Sequence, residues 1–163
     1  MYKIRLLILL LSSIFFFSCS TSKFDQKKKL NVGYIGGEYD GLLLSNQLMA
    51  YLSNFNLYDK KSIYQIEGKI KHSSNLFITN IDNTSDRKRV VSKIELQIYN
   101  RILNCYTFSY TDNTSQFYIL APSDKFMSNK SAMEKIKFEN TDYLVKKFLN
   151  SITDRNFICN EKK

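Results

Sequence analysis

Arg89-Val90-Val91-Ser92-Lys93-Ile94-Glu95-Leu96-Gln97-Ile98-Tyr99 is the most regular stretch of the chain. Val90, Ile94, Leu96 and Ile98 alternate with Val91, Lys93, Glu95 and Gln97. Successive strand residues point to opposite faces of a sheet, so this period of two describes a strand with one buried and one solvated face. Downstream, Asn100-Arg101 reads as a tight turn. Ile102 to Tyr110 then alternates again, with Tyr106, Phe108 and Tyr110 expected on one face. Upstream, Tyr64, Ile66, Gly68 and Ile70 alternate with Gln65, Glu67, Lys69 and Lys71 within Ser62 to Lys71. That strand is expected to kink near Ser73-Ser74 and resume through Leu76 to Ile81, before the polar loop Asp82 to Ser85. Three successive strands with short links form an antiparallel meander.

Helical periodicity brackets the meander. Leu30 to Ile35 is a short apolar run ended by Gly36-Gly37, read as a first strand. Asp40 is placed to cap a helix, and Leu44, Leu48, Leu52 and Phe55 then line one face of it to about Asn56. Gln116 to Met127 reads as irregular and holds Pro122, the only proline. From Ser128 the chain turns helical, with Ser131 and Glu134 at capping-box spacing. Met133, Ile136, Leu144, Val145, Phe148, Leu149 and Ile152 form its apolar stripe, weakened at Asn140-Thr141. Each element has a single apolar face. The simplest way to bury all six is an α+β fold over residues 30–153: a two-layer sandwich, a mostly antiparallel four-stranded sheet with two helices on one face. Residues 154–163 read as a C-terminal tail.

The start of the chain has another character. Lys3 and Arg5 precede an apolar core from Leu6 to Phe17 that is interrupted only by Ser12-Ser13. A run of this length matches the core of a secretory signal peptide and is too short to span a bilayer. It ends at Ser18-Cys19, which resembles the bacterial lipobox, with Phe16 and Phe17 where Leu and a small residue are usual. The expectation is a signal peptide over 1–18 and a lipidated Cys19 as first mature residue. Several acyl chains on Cys19 make an effectively permanent anchor, because each buried CH₂ contributes about 0.8 kcal/mol. Ser20 then permits transfer to the outer membrane, and 19–29 becomes a polar tether.

The precursor carries a formal charge of +9; Lys3 and Arg5 leave with the signal peptide, so the mature chain carries +7. A basic surface favours anionic partners, and export excludes nucleic acid among them. Cys105 and Cys159 can pair in an oxidising compartment if the tail folds back, and otherwise stay free. His72 is the only histidine and has no cysteine nearby, so no metal site is expected and His72 reads as an ordinary strand residue. No nucleophile elbow, phosphate-binding loop or zinc-protease motif occurs. Neither a catalytic residue nor a cofactor is expected.

The order of elements, with Asn83-Thr84-Ser85-Asp86-Arg87-Lys88-Arg89 leading into the long strand that ends at Tyr99, resembles the LptE family of outer-membrane lipopolysaccharide-assembly lipoproteins. The resemblance covers roughly residues 30–153, as pattern more than as motif. It implies a protein on the periplasmic face of the outer membrane that plugs an LptD-like β-barrel and contacts lipopolysaccharide, making and breaking no bond. Within that reading Arg87, Lys88 and Arg89 are the candidate contacts to lipid phosphate, since a guanidinium holds a phosphate with two parallel hydrogen bonds. On strand geometry Arg87 and Arg89 share a face and Lys88 points away. The rival readings are an auxiliary lipoprotein of a lipid-trafficking ABC system, a structural lipoprotein, and a small periplasmic hydrolase.

Overall fold

The computed structural model describes residues 28–78, 86–121 and 126–159. The alternating stretch around Ile94 forms an interior strand. Strand β3 (Asp86–Asn100) lies between β2 (Tyr64–Ile78) and β4 (Cys105–Ile119), antiparallel to both. Strand β1 (Asn31–Gly36) adds to β2 in parallel, giving the order β1-β2-β3-β4. A hairpin cannot join parallel neighbours, and the crossover here is helix α1 (Glu38–Asn54). Helix α2 (Phe126–Ile152) follows β4. Helix α1 packs on β1 and β2, α2 on β3 and β4, and the helices pack on each other. The fold is thus the expected α+β sandwich, with a mostly antiparallel sheet.

One apolar cluster joins the layers. Leu44, Leu48 and Leu52 of α1 meet Ile66 and Ile70 of β2, Ile94, Leu96 and Ile98 of β3, and Leu144, Val145 and Phe148 of α2. Each such side chain contributes about 1.5–3 kcal/mol by leaving water. Phe108 and Tyr110 extend the cluster over Phe148, at ring distances of 6.4 and 5.6 Å. At position 68 only glycine fits, because a Cβ there would lie 2.1 Å from the Glu95 carbonyl oxygen.

Several local expectations are corrected. Asp40 does not cap α1. The N-cap is Gly37, at φ 120 and without a side-chain cap bond, while Asp40 pairs with Lys137 at 3.2 Å. Strand β2 runs unbroken through Ser73-Ser74 to Ile78, because β3 pairs with it residue for residue over that whole length. The β3–β4 turn is Arg101–Asn104, longer than expected, and takes Ile102 and Leu103 out of the strand. A register shift between Ile98 and Tyr99 then matters. It pairs Phe108 with Ile98 on the core side but Tyr106 with Tyr99 on the other, so Tyr106 does not share a face with Phe108 and Tyr110. Strand β4 continues to Ile119 through residues expected to be irregular. Helix α2 starts at Phe126, which leaves Ser131 and Glu134 inside it and no capping box. The loop expected at 82–85 and the signal-peptide and tether residues up to 27, Cys19 included, lie outside the described residues.

Candidate functional site

Strand length positions the site. Fifteen residues of strand extend for roughly 50 Å. The 17 residues of α1 cover only about 26 Å. Helix α1 begins beside Ile70, where a Cβ on Gly37 would meet the Ile70 carbonyl at 2.7 Å. Beyond His72, therefore, α1 no longer backs the sheet. This far end of the sheet, its tip, is where β3 begins.

Arg87 and Arg89 lie there on the helix-free face, opposite Ile119 and Phe117 of β4. Lys88 falls in the same file as buried Val90 and so points to the helix side, opposite Tyr118. The Arg89 guanidinium donates from Nε and Nη2 to Ser115 Oγ at 3.1 and 3.0 Å and sits 5.7 Å from the Phe117 ring. Phe117 and Ile119 are half-exposed and two-thirds exposed; Leu76, paired with Lys88 and therefore on the helix side, is exposed as well. The tip therefore sets two guanidinium groups beside uncovered aromatic and aliphatic surface. Further along the same face, Glu95 accepts from Lys93 at 2.8 Å and Lys69 at 2.9 Å, and these ammonium groups hold its carboxyl down to about 2. Both lysines are thus engaged with one carboxylate, which offsets one of their two charges. Phosphate on an amphiphile matches the tip better: a fork of donors for the anion and apolar side chains for the rest.

A second cluster is interior. Ser92 interrupts the apolar file of β3 and is 0% exposed. Its hydroxyl lies 2.6 Å from His72 Nδ1 and accepts from Asn140 Nδ2 at 3.0 Å, while Asn140 Oδ1 accepts from Gln116 Nε2 at 3.0 Å. The Asn140-Thr141 break in the α2 stripe is thereby explained: both residues are buried, and the Thr141 hydroxyl donates to the Lys137 carbonyl at 2.7 Å. Burial lowers the His72 pKa, Lys137 adds to the lowering and Asp40 opposes it. The Ser–His pair lies inside the sheet–helix layer with no exposed oxygen. Its visible role is to register α2 over β3 through a connected polar network.

The opposite end of the sheet is tied together. Cys105 and Cys159 form a disulfide, with Cα atoms 5.9 Å apart. Residues 154–159 fold back along the domain, and Phe157 packs edge-on against Tyr64 at 5.0 Å. An open groove of about 1340 Å³ lies between this segment and the start of β4, lined by Tyr99, Tyr106, Arg155 and Ile158 among others. Among the described residues no group of His, Cys, Asp and Glu has the geometry of a metal site. No helix among them is long and apolar enough to cross a membrane.

The structure places the three basic candidates together at the tip and splits them, two and one, between the faces. Sequence reasoning missed Ser115, Phe117 and Ile119 as their neighbours. The signal was Gln116-Phe117-Tyr118-Ile119, a short alternation hidden behind the polar run Thr111–Ser115.

No family model matches the sequence, and no curated protein matches it. Solved structures do share the fold. A minor lipoprotein from Acinetobacter baumannii superposes with a TM-score of 0.61 at 16% identity, over 83% of this chain and 97% of that one. Lipoprotein B from Nitrosomonas europaea gives 0.60 at 10% identity, over 77% and 82%. The rare lipoprotein B from Shewanella oneidensis gives 0.59 at 11% identity, over 77% and 93%. At such identities the likeness is one of fold.

Proposed function

We propose that this protein is a lipoprotein held at the periplasmic face of the outer membrane through Cys19, and that it binds an LptD-like β-barrel and lipopolysaccharide during outer-membrane assembly. The signal-peptide pattern ending at Ser18-Cys19 supports the anchor. The shared fold of three bacterial lipoproteins supports the class. The observation that carries the ligand is the tip: Arg87 and Arg89 on the helix-free face, beside Phe117 and Ile119. Two guanidinium groups take a phosphate of the glycolipid, and the uncovered side chains take part of its apolar surface. The action is binding, with no covalent step.

The test titrates immobilised mature protein with lipopolysaccharide and with its dephosphorylated form at fixed salt. Arg87→Glu with Arg89→Glu is expected to weaken binding by about 1–3 kcal/mol per lost charge-assisted contact. A double variant that binds as wild type does removes the tip from the mechanism. A wild type that does not distinguish the two glycolipids removes phosphate recognition. Pull-down of tagged protein from detergent-solubilised membranes tests the partner: an outer-membrane barrel is expected, and recovery of an inner-membrane ABC transporter without a barrel overturns it.

A further inference from the structure

The end of the domain opposite the tip is built around the turn Arg101–Asn104. Turns are ordinarily polar, yet this one places two aliphatic side chains at its apex. Ile102 is 72% exposed and Leu103 is 64% exposed. They are held there. Asn100 is buried, and its Oδ1 accepts from the backbone N–H of both Ile102 and Leu103 at 3.0 Å. The Arg101 N–H donates to the Ile63 carbonyl at 2.8 Å, and the Tyr99 hydroxyl bonds Asn104. With its backbone satisfied this way, the turn is ordered before any partner arrives, and its two side chains project outward.

The same end receives both ends of the domain. Cys105, next to the turn, is bonded to Cys159. Ile158, beside it, is also exposed. Lys28 Nζ donates to the Arg155 carbonyl at 2.6 Å and to Asn156 Oδ1 at 3.2 Å, so the chain enters the domain here. Lys28 is nine positions after Cys19, at most roughly 30 Å of chain. The segments gathered at this end carry Lys28, Lys29, Lys60, Lys61, Arg101 and Arg155 against Asp59 and Asp154.

We infer that this turn is a membrane-contacting tip: Ile102 and Leu103 enter the headgroup–acyl boundary of the bilayer that holds Cys19, with Arg101 at the level of the lipid phosphates. The inference rests on the anchoring proposed at Cys19, which confines the domain within a tether's length of that bilayer. The occupant is a bilayer because Ile102 and Leu103 project from the apex of the turn and do not line the neighbouring groove, because the rim is cationic, and because the tether begins on the same side. Apolar side chains that reach the boundary and cations that meet anionic headgroups add to each other at such a surface. The contact would fix the orientation of the domain, turning Arg87 and Arg89 away from the anchoring leaflet.

The protein has no tryptophan, so one introduced tryptophan reports a single place. Full mature protein with Ile102→Trp is reconstituted into phosphatidylethanolamine–phosphatidylglycerol vesicles, with and without brominated acyl chains. Phe138→Trp, at an exposed position midway along α2, serves as the comparison. Emission from position 102 is expected to shift to shorter wavelength and to be quenched by the brominated lipid, while position 138 stays unquenched. No quenching at 102, or equal quenching at both, overturns the inference; docking of the turn on a protein instead would give the first of these. In the Cys19→Ser protein, Ile102→Asp with Leu103→Asp is expected to lower vesicle partitioning by at least about tenfold, and unchanged partitioning also overturns it. The mass of the mature protein keeps the two readings apart. Absence of acyl chains on Cys19 removes the anchor, and the quenching experiment with unanchored protein then decides the turn on the same criterion. Acyl chains on Cys19 with an unquenched tryptophan at 102 leave the lipoprotein intact and remove only the docking.

Discussion

The two ends of the sheet expose apolar side chains for different reasons. At the end that holds the Arg101–Asn104 turn, Ile102 and Leu103 are exposed although the groups around them are fastened. A buried asparagine satisfies the turn, a disulfide ties the following strand to the C-terminal segment, and Lys28 ties that segment to the start of the domain. At the tip Phe117 and Ile119 are exposed because they lie on the helix-free face, and Leu76, on the helix side, because the 15-residue strand β2 outruns the 17-residue helix α1. One exposure is made by local hydrogen bonding, the other by the face of the sheet on which the side chains lie and, for Leu76, by the reach of α1. Exposed apolar surface by itself therefore says little, and the groups that hold it say what it presents.

The sharpest break in the comparison lies between covered and uncovered positions. Phe148→Ala, in the covered half against Phe108 and Tyr110, is expected to cost about 3–5 kcal/mol. Ile119→Ala at the tip is expected to stay within about 0.5 kcal/mol. Urea unfolding of both variants checks this, and comparable losses would mean that the tip is part of the core. The fastening comes next. Replacing Cys105 and Cys159 together by serine frees a loop of 54 residues and is expected to cost about 2–4 kcal/mol. The same urea midpoints read it, and hydrogen exchange should rise in residues 155–159 while the tip is unchanged.

A smaller effect separates the layers by pH. His72 titrates lower in the folded protein than its ordinary 6.5, chiefly through burial. Its contribution is therefore complete above about pH 6.5 and is lost as pH falls, because the unfolded chain takes up the proton first; the loss levels off below the folded value. Wild type should lose more stability between about pH 7.5 and about pH 5.5 than His72→Gln does. Equal losses would place the acid sensitivity elsewhere. Smallest is Lys88→Glu. Since Lys88 points to the helix side, it should leave glycolipid binding nearly unchanged where the Arg87/Arg89 double variant weakens it. An effect as large as the double variant's would mean that the ligand wraps the strand and does not lie on one face.

The elements were legible wherever one period ran long enough. Val90 through Ile98 fixed β3 and its faces, and Leu44, Leu48 and Leu52 fixed the buried stripe of α1. The alternation at Arg87 to Arg89 also foretold which two cations share a face. Legibility failed where a neighbour overrode the local signal. Asp40 has the chemistry of a cap, but Lys137 on the other helix takes its carboxylate. Polar Thr111–Ser115 breaks the apolar pattern, yet pairing with β3 holds it in the strand. Ser131-x-x-Glu134 is a start signal inside a helix that begins earlier.

What the sequence determined by itself is periodic: six elements, one apolar face on each, and hence a two-layer α+β sandwich, since period and hydrophobicity are properties of neighbours along the chain. What only the tertiary structure decided is relational. The register shift that turns Tyr106 away from Phe108, the joining of half-buried His72 with buried Ser92 and Asn140 in one network, and the meeting of Lys28 with the C-terminal segment all join residues far apart in sequence. Such pairings depend on relative position in space, and no local pattern encodes them.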